Sequence, residues 1–412
     1  MGPHTHIALL HYSCPPVVGG VEEVMAQQAF LFHRHGHPLR LLAGSGGVFS
    51  DRFPIEINPL LGSRHPDVLA AHREIPSGSG PVEAITDRIL EFLTGVLPGV
   101  DVLIAHNVLT MPYNLPLTRA LHRLADSDAV RVIGWCHDSP FFYDSYPDTL
   151  TGEAWRILRS GNPNIRYVTI CEARRGRFTS LFGEDVQVSV IPNGIDPGEF
   201  LVLEPGIESL IREWDLLEAD LLLLQPARLH PRKNIPFSIR VVRALRDRGL
   251  RARLLLLGSY DPHEDGTISY LKELKDLTAD LDLEDDILFL AEYFFRSDGE
   301  SSLTKALIRD LYLIADLLFL PSLHEGFGLP LLEAGLAKLP IVCSDIAPFL
   351  EIGGSDVCTI SAQDPPAAVA SRLVEFTQSL APHRMFRRVL GSYRWERIFV
   401  EKIHPLLQEV VA

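Results

Sequence analysis

The sequence lacks several features that would place it in other classes of protein. It contains only five cysteines in 412 residues, and they are Cys14, Cys136, Cys171, Cys343 and Cys358. Scattered cysteines with no Cys-x-x-Cys pair are typical of buried free thiols in a reducing compartment, not of a disulfide framework or a zinc site. No apolar run reaches the roughly 20 residues that a membrane-spanning helix needs. We therefore expect a globular protein without integral membrane association.

Positive charge is also scarce. The 38 Lys and Arg residues are outnumbered by 53 Asp and Glu residues, which gives a net charge of −15. A protein so acidic is not expected to bind nucleic acid or an anionic membrane surface. The N-terminal MGPHTHIALLHYS lacks the basic start and long apolar core of a signal peptide, so the expected location is cytoplasmic.

Short apolar runs alternate with helix-length amphipathic segments along the whole chain. Runs that are apolar on both faces predict parallel strands covered by helices on both sides. Ten or more strands exceed one ordinary sheet, and a Pro- and Gly-rich stretch at 191–206 is the best boundary. We predict an α/β protein with Rossmann-like doubly wound domains at 1–195 and 196–390 and a helical tail at 391–412. The predicted strands are HIALLH, VLIAH, RVIGWC, YVTI, QVSVI, LLLLQPA, RLLLLG, ILFL, LLFLP and PIVCS.

Ligands of open α/β sheets bind beyond the carboxyl ends of the strands, and two such places lie in the first half. Gly19 and Gly20 open a helix after the first strand, where glycine lets a backbone approach a ligand closely, although a plain tight turn explains them too. His137 and Asp138 follow the strand RVIGWC. A neutral imidazole there could bind a sugar hydroxyl, or it could be an ordinary loop histidine satisfied by water or by Asp138.

The second half offers a more specific pattern after the strand LLLLQ. Arg228 follows the strand, and Lys233 precedes a helix that Asn234 is expected to cap, with Pro236 in its first turn. A guanidinium, an ammonium and the N–H groups of a helix N-terminus would together form an anion site. The alternative is a solvated pair of surface cations.

The stretch HEGFGLPLLEAG, residues 324–335, places two carboxylates, Glu325 and Glu333, eight positions apart, with glycines between them that leave the backbone exposed. Its helix is expected to run through Leu336, with Glu325 in the loop before it and Glu333 inside it. A nucleotide-sugar has a matching layout, in which Glu333 accepts from the ribose hydroxyls and Glu325 from hydroxyls of the sugar. The N–H groups around Gly326, Phe327, Gly328 and Leu329 would then face the phosphates. Two unrelated surface carboxylates are the alternative.

No metal site is expected. Two Asp-x-Asp triplets, Asp126-Ser127-Asp128 and Asp280-Leu281-Asp282, lie in polar helix-end segments rather than after strands, and we interpret them as solvated. His33, His35 and His37 end a predicted helix, where partial positive charge is favourable without a metal.

The set NGID, RLHPRKN and EGFGLPLLEA resembles the retaining glycosyltransferases of family 4, and the resemblance covers essentially the whole chain. It implies the GT-B fold, in which two Rossmann-like domains face each other across a cleft, and a closing helix that crosses back to the first domain. It also implies a UDP- or GDP-sugar as donor substrate and no required cofactor.

The resemblance further assigns roles to individual residues. Arg228 and Lys233 would hold the diphosphate, Glu325 the donor sugar and Glu333 the ribose. His137 would contact the sugar, and Gly19-Gly20 would border the phosphate and acceptor. Strand ends that include Ser259 and Tyr293 would flank the base.

The expected activity is transfer of a hexose, glucose or mannose, to an acceptor hydroxyl with retention and without a metal. The acceptor is expected to be a small soluble molecule such as a sugar or a glyceryl glycoside. Its pocket would be lined by His106, Asn107 and Asp138, although loop-supporting roles explain these residues as well. A sugar epimerase or phosphorylase of the same fold, and a catalytically silent nucleotide-sugar-binding module, stay open as alternatives.

Overall fold

The chain is described by a computed structural model over residues 4–75, 80–127, 129–144, 148–258, 267–298 and 303–412. It forms two compact units, one made of Met1–Ile195 with Tyr393–Ala412 and the other of Asp196–Ser392. Each unit contains a parallel sheet with helices on both faces. The predicted fold class, two Rossmann-like parallel-sheet domains, is confirmed.

In the described part of unit 1 the sheet has seven strands in the order β3-β2-β1-β4-β5-β6-β7, and all neighbours are parallel. The central strands are buried on both faces because their residues alternate between two apolar layers: Ile7 and Leu9 face one layer, and Ala8 and Leu10 the other. The strands are β1 (Ile7–His11), β2 (Leu39–Ala43), β3 (Ile55–Ile57), β4 (Val102–His106), β5 (Arg131–Cys136), β6 (Ile165–Thr169) and β7 (Val188–Val190).

The helices of unit 1 that precede unit 2 begin and end with ordinary sequence signals. Asn114 caps α4 by accepting a hydrogen bond from the N–H of Leu117, and α1 has acidic residues in its first turn and basic residues in its last. These helices are α1 (Gly20–Arg34), α2 (Pro66–Glu74), α3 (Gly80–Val96), α4 (Leu115–Asp126) and α5 (Glu172–Phe182).

Unit 2 repeats the architecture with six parallel strands in its described part, in the order β10-β9-β8-β11-β12-β13. Successive leucines of β8 again face opposite apolar layers. The strands are β8 (Leu221–Gln225), β9 (Ala252–Leu256), β10 (Ile287–Phe289), β11 (Leu317–Leu320), β12 (Ile341–Ser344) and β13 (Cys358–Ile360).

The helices of unit 2 cover both faces of this sheet. Those that matter for the site are α8, α11 and α12. The full set is α6 (Pro197–Leu201), α7 (Pro205–Glu213), α8 (Ile235–Asp247), α9 (Thr267–Asp280), α10 (Leu290–Asp298), α11 (Lys305–Ile314), α12 (Leu329–Leu336), α13 (Ala347–Gly353), α14 (Pro366–Ser379) and α15 (Ala381–Ser392).

The last 20 residues belong to unit 1 and contain α16 (Trp395–Ile398), a π-helical turn (Phe399–Ile403) and α17 (His404–Val411). Tyr393 and Trp395 exchange backbone hydrogen bonds with Ile195. The indole of Trp395 is buried against Gly194, where a Cβ would come within 2.6 Å of the ring. The glycine of the NGID motif is therefore required by close packing of the tail.

All ten strands that the sequence predicts are present. Three further strands, β2, β3 and β13, were not predicted. Two of them, β3 and β13, are edge strands that are half exposed and therefore lack a long apolar run. In β2 the apolar pattern is interrupted by Arg40, whose guanidinium binds the Val96 carbonyl and lies 3.2 Å from Glu56 Oε1.

Candidate active site

The loop that carries Arg228 and Lys233 and the loop that carries Glu325 follow neighbouring strands at the same edge of the unit 2 sheet. β8 and β11 are parallel partners, so the loop after Gln225 and the loop after Leu320 begin side by side. They are joined where the N–H of Leu323 donates to the carbonyl of Arg232 over 2.7 Å. The side chain of Gln225, fully buried, donates to the carbonyl of Lys233 over 2.9 Å. These contacts fix the backbone that carries Lys233.

Lys233 and Glu325 form a close ion pair across these loops. Lys233 Nζ lies 2.5 Å from Glu325 Oε1, and their side chains are only 15% and 12% exposed. The hydroxyl of Ser322 donates to the same carboxylate oxygen over 2.8 Å. Because a buried charge is costly without a partner, each of the two charges holds the other in place. Arg228, in the same loop as Lys233, is exposed.

The predicted cap of the following helix is only half right. Asn234 precedes α8, but its backbone is left-handed, with φ of 54°, and its side chain accepts no capping hydrogen bond. A 3-10 turn at Pro231–Lys233 comes first and is capped by His230, whose ring nitrogen accepts from the N–H of Arg232. Asn234 therefore turns the chain between the 3-10 turn and α8. Its left-handed backbone conformation is one that asparagine tolerates better than most residues.

The glycine motif after β11 leads into the N-terminus of α12 as expected. Gly326 and Phe327 are exposed in the loop, and Leu329 begins the helix. Gly328 precedes it with φ of 122°, and a Cβ there would come within 3.1 Å of Phe349. Both the backbone and the packing thus demand glycine at 328. No side chain caps this helix, so its first N–H groups have no side-chain acceptor.

Glu333 lies on α12 and has a partner that the sequence did not reveal. The hydroxyl of Tyr312, on α11, donates to Glu333 Oε2 over 2.5 Å. Tyr312 is 4% exposed, and burial together with the adjacent carboxylate raises the pKa of its hydroxyl. Glu333 is exposed, so one of its oxygens is oriented by a buried tyrosine while the residue stays open to solvent. The i-to-i+21 spacing of this contact has no sequence signal.

Tyr293 is placed differently from the prediction. It was expected in a strand-end segment, but α10 begins at Leu290, directly after β10, and Tyr293 lies in its first turn. Its hydroxyl donates to Glu213 over 2.7 Å, and burial and this carboxylate raise its pKa to about 12. Tyr293 borders a cavity of about 740 Å³ that is also lined by Trp214, Phe289 and Glu292. Ser259, the other predicted neighbour of the base, lies outside the described residues.

In unit 1, His137 lies at the end of β5 and is held by neighbouring strand ends. Its Nε2 is 3.4 Å from Nδ1 of His106, the last residue of β4, and its N–H donates to Oδ1 of Asn107 over 3.1 Å. Burial, followed by the proximity of His11, lowers the pKa of His137 to about 4. The ring is therefore neutral near pH 7 and can donate or accept a hydrogen bond.

His106 and Asn107, which are predicted to contact the acceptor, are both buried. His106 has no exposed surface, and burial places its pKa well below the usual range. Asn107 is buried as well, and its Oδ1 accepts from the N–H groups of both His137 and Asp138. Both residues support the loop that follows β5, and their contact with an acceptor stays a prediction.

Asp138 is only partly buried and is engaged by its own loop. The hydroxyl of Tyr143 donates to its Oδ2 over 2.7 Å, and a guanidinium nitrogen of Arg174 lies 3.1 Å from Oδ1. Its own carbonyl accepts from the hydroxyl of Thr110. These contacts tie the loop after β5 to α5 and leave His137 in a fixed position.

Gly19 and Gly20 stand where α1 begins, one residue earlier than expected. Gly19 is the residue before the helix and caps it with no side-chain hydrogen bond, and Gly20 is exposed. The carboxylate of Glu22, in the first turn, folds back beneath Gly19. The turn follows β1 at the carboxyl edge of the sheet, beside the strand that carries His106.

The described part of the chain contains neither a cluster of metal-binding side chains nor a membrane-spanning helix. No group of three or more His, Cys, Asp or Glu side chains there is arranged to hold a metal ion. In the same ranges no helix is long and apolar enough to cross a membrane. Of the histidines near the end of α1, His35 lies 2.7 Å from Glu396 and His37 is 3.1 Å from the carbonyl of Thr5.

Comparison with known proteins gives one family match in each half of the chain. Residues 18–199 match the family described as Glycosyltransferase Family 4, and residues 207–379 match the one described as Glycosyl transferases group 1. Together the two matches leave only residues 1–17, 200–206 and 380–412 uncovered.

Individual relatives are distant. Mannosylglucosylglycerate synthase of Petrotoga mobilis is 25% identical over 296 residues, 65% of each protein. D-inositol 3-phosphate glycosyltransferase of Actinosynnema mirum is 27% identical over 361 residues, 80% of this chain and 76% of that protein. The chain spans between 44% and 65% of the length of the first curated relatives it matches. Among solved structures, Anabaena HepE in complex with UDP aligns over 98% of this chain and 100% of its own, at 17% identity and a TM-score of 0.38.

Proposed function

Because the chain belongs to the GT-B glycosyltransferases of the family 4 type, we propose that it transfers a sugar from a nucleotide-sugar to an acceptor hydroxyl. The donor is a UDP- or GDP-sugar, the transferred sugar is glucose or mannose, and the configuration at the anomeric carbon is retained. The observation that carries this proposal is the contact of Lys233 Nζ with Glu325 Oε1 at 2.5 Å. A nucleotide-sugar requires a cation for its diphosphate next to a hydrogen-bond acceptor for its sugar hydroxyls. The neighbouring loops after β8 and β11 supply both at one edge of the sheet.

The donor-binding roles follow from what each group can do. Lys233 and Arg228 bind the diphosphate as cations, and Glu325 holds the ammonium of Lys233 in place while accepting from hydroxyls of the transferred sugar. The uncapped N–H groups at the start of α12 point toward negative charge, so Gly326, Phe327, Gly328 and Leu329 complete the phosphate contacts. Further along the same helix, Glu333 accepts from the ribose hydroxyls. Tyr293 contacts the base from α10.

The transfer step breaks the bond between the anomeric carbon and the diphosphate oxygen, and the electron pair leaves with the diphosphate. Fixed cations and amides stabilise the charge that develops on this leaving group, and they need no rearrangement at the moment of reaction. The acceptor oxygen then bonds to the anomeric carbon on the same face, and its proton passes to the departing phosphate. No carboxylate of the protein needs to act as nucleophile. His137, neutral near pH 7, donates a hydrogen bond to or accepts one from a hydroxyl of the reacting sugar.

We also propose a small soluble acceptor, such as a sugar or a glyceryl glycoside. The support is chemical: His137 is a neutral hydrogen-bonding group suited to hydroxyls, and the protein carries net negative charge. The names of the Petrotoga and Actinosynnema relatives, mannosylglucosylglycerate synthase and D-inositol 3-phosphate glycosyltransferase, also refer to small polyhydroxylated molecules.

The test begins with thermal-shift titrations of the purified protein with UDP, GDP and ADP. Stabilisation by one of them identifies the donor class, because a ligand that binds only the folded state raises Tm. Release of the nucleoside diphosphate from UDP-glucose, GDP-mannose and ADP-glucose is then measured. We expect release from the matching donor by the wild type and a loss of roughly 100-fold or more in Arg228→Ala.

The matched control is Arg232→Ala, which removes an exposed guanidinium from the 3-10 turn next to Lys233. We expect its rate of release to stay near that of the wild type. No stabilisation by any of the three nucleotides, with no release from any of the donors, would contradict the proposed function. Equal losses in the two arginine variants would show that Arg228 has no specific role.

A further inference from the structure

The turn between β1 and α1 packs against the carboxylate of Glu22. Glu22, in the first turn of α1, has a side chain that is only 13% exposed. Its Oε1 accepts a hydrogen bond from the hydroxyl of Ser13 over 2.5 Å and lies 3.8 Å from Nε2 of His11. Glu22 therefore connects the end of β1 to the start of the helix across the turn that contains Gly19 and Gly20.

The same carboxylate explains why residue 19 is glycine. The backbone of Gly19 is extended, with φ of −169° and ψ of 155°, which any residue can adopt. A Cβ at this position, however, would come within 2.1 Å of Glu22 Oε2. Gly20 is different, because a Cβ there would meet nothing within 4 Å. Glycine at 19 is thus needed to seat the Glu22 side chain.

The other side of the turn is held by the loop after β2. The N–H of Cys14 donates to the carbonyl of Ser45 over 2.9 Å, and the N–H of Gly47 donates to the carbonyl of Pro15 over 3.0 Å. Between these bonds and the Glu22–Ser13 contact, the turn is fixed at both ends. A carboxylate suits the place because it lies at a helix N-terminus, where negative charge is favoured.

We propose that Glu22 is a positioning residue, which sets the path of the Gly19-Gly20 turn through Ser13 and through its contact with Gly19. The inference rests on the proposed function and on the role that the family resemblance implies for Gly19 and Gly20, which would border the phosphate and the acceptor. Glu22 itself points into the turn and touches no substrate. Its removal lets the turn move, which slows the transfer step without weakening the hold of unit 2 on the nucleotide.

The experiment is a double-mutant cycle between positions 19 and 22, with Tm and nucleotide affinity measured beside activity. The variants are Gly19→Ala, Glu22→Ala and the combination of the two, with Glu22→Gln as the conservative change. Misplacement of a positioning group by about 1 Å can cost on the order of 100-fold in rate. We expect Gly19→Ala and Glu22→Ala each to lower kcat by about 10- to 100-fold, with an unchanged Kd for the nucleoside diphosphate found in the thermal-shift titrations.

The cycle distinguishes positioning from a general loss of structure. In the Glu22→Ala background the added methyl of Gly19→Ala has room, so the second substitution should cost little further activity. Glu22→Gln can still accept from Ser13 and should recover most of the wild-type kcat. Glu23→Ala, which removes the exposed carboxylate next in sequence, is the matched control and should leave kcat unchanged.

Independent losses at the two positions, a Glu22→Ala protein with wild-type kcat, or losses that follow Tm and nucleotide affinity alone would overturn this inference. These results differ from failure of the proposed function. A wild-type protein that binds none of UDP, GDP and ADP would overturn both, whereas normal nucleotide binding and transfer with no coupling between positions 19 and 22 would overturn the positioning role only.

Discussion

The hydroxyl of Tyr312 donates a 2.5 Å hydrogen bond to Oε2 of Glu333, so a residue buried on α11 orients a carboxylate on the open side of α12. A hydrogen bond to a charged group contributes roughly 1.5–3 kcal/mol. The bond also limits the rotamers of a long side chain, which lowers the entropy lost when Glu333 binds a ligand. In the proposed function, Tyr312 thus prepares Glu333 to bind the ribose.

The first prediction concerns this pair. Tyr312→Phe removes only the hydroxyl, and we expect KM for the nucleotide-sugar to rise by about tenfold while kcat changes little, because the ribose contact is remote from the bond that breaks. Steady-state kinetics with varied donor concentration measures both. Tyr270→Phe is the control, since the hydroxyl of Tyr270 is buried and has no hydrogen-bond partner among the residues that the structure describes. A fall in kcat at constant KM would show that Tyr312 acts elsewhere.

The second prediction concerns the Lys233–Glu325 pair in the absence of ligand. Both side chains are mostly buried, and removal of one partner of such a pair costs roughly 3–5 kcal/mol because the other charge is left uncompensated. We expect Lys233→Met and Glu325→Gln each to lower the free energy of unfolding clearly. The double variant should be more stable than the sum of the two losses predicts, which denaturant unfolding can measure. Additive losses would mean that the pair makes no net interaction.

The third prediction separates two glycines of one motif. Gly328→Ala forces a side chain into φ of 122° and against Phe349, so we expect it to destabilise the protein by about 1–3 kcal/mol. Gly326→Ala meets no atom within 4 Å and should leave Tm nearly unchanged. It should still weaken nucleotide binding, because the added methyl stands where the phosphates approach the backbone. Thermal unfolding and nucleotide titration of the two variants test this, and an unstable Gly326→Ala would contradict it.

The fourth prediction concerns pH. The pKa of His137 is lowered from 6.5 to about 4, so between these values the unfolded chain binds a proton that the folded protein does not. Stability is therefore fully present above about pH 6.5 and falls as the pH drops toward 4, by up to about 1.4 kcal/mol per pH unit for this one histidine. His106 acts in the same direction, because burial lowers its pKa as well.

This dependence can be measured as Tm between pH 7.5 and 4.5 for the wild type and for His137→Asn. The asparagine variant has no proton to gain at this position, so its Tm should fall less steeply with decreasing pH. His65→Asn is a suitable control because His65 is partly exposed and caps α2 by accepting from the N–H of Asp67, a role that asparagine can also fill. Parallel curves for the wild type and His137→Asn would show that His137 does not cause the loss.

Sequence patterns identified the elements whose signals are local. Ten strands carry a short apolar run and could be predicted, and one of them, β7, lies half exposed at the sheet edge. The position of each loop at a strand end followed from the alternation of strands and helices. The glycine at 328 and the carboxylates at 325 and 333 were identified because their motif is continuous in sequence. The edge strands β3 and β13 were not predicted, because their half-exposed residues do not form a long apolar run.

Within the site, the sequence alone determined which residue types follow which strands, and hence which groups could meet a nucleotide-sugar. Only the tertiary structure decided what each group contacts. The fold pairs Lys233 with Glu325 across 92 positions in the sequence. It also brings the rings of His106 and His137 into contact and the hydroxyl of Tyr312 to the carboxylate of Glu333. The reason is that a strand or helix period depends on neighbours a few residues apart, whereas these contacts depend on which parallel strands lie side by side in the sheet and how the helices pack on them.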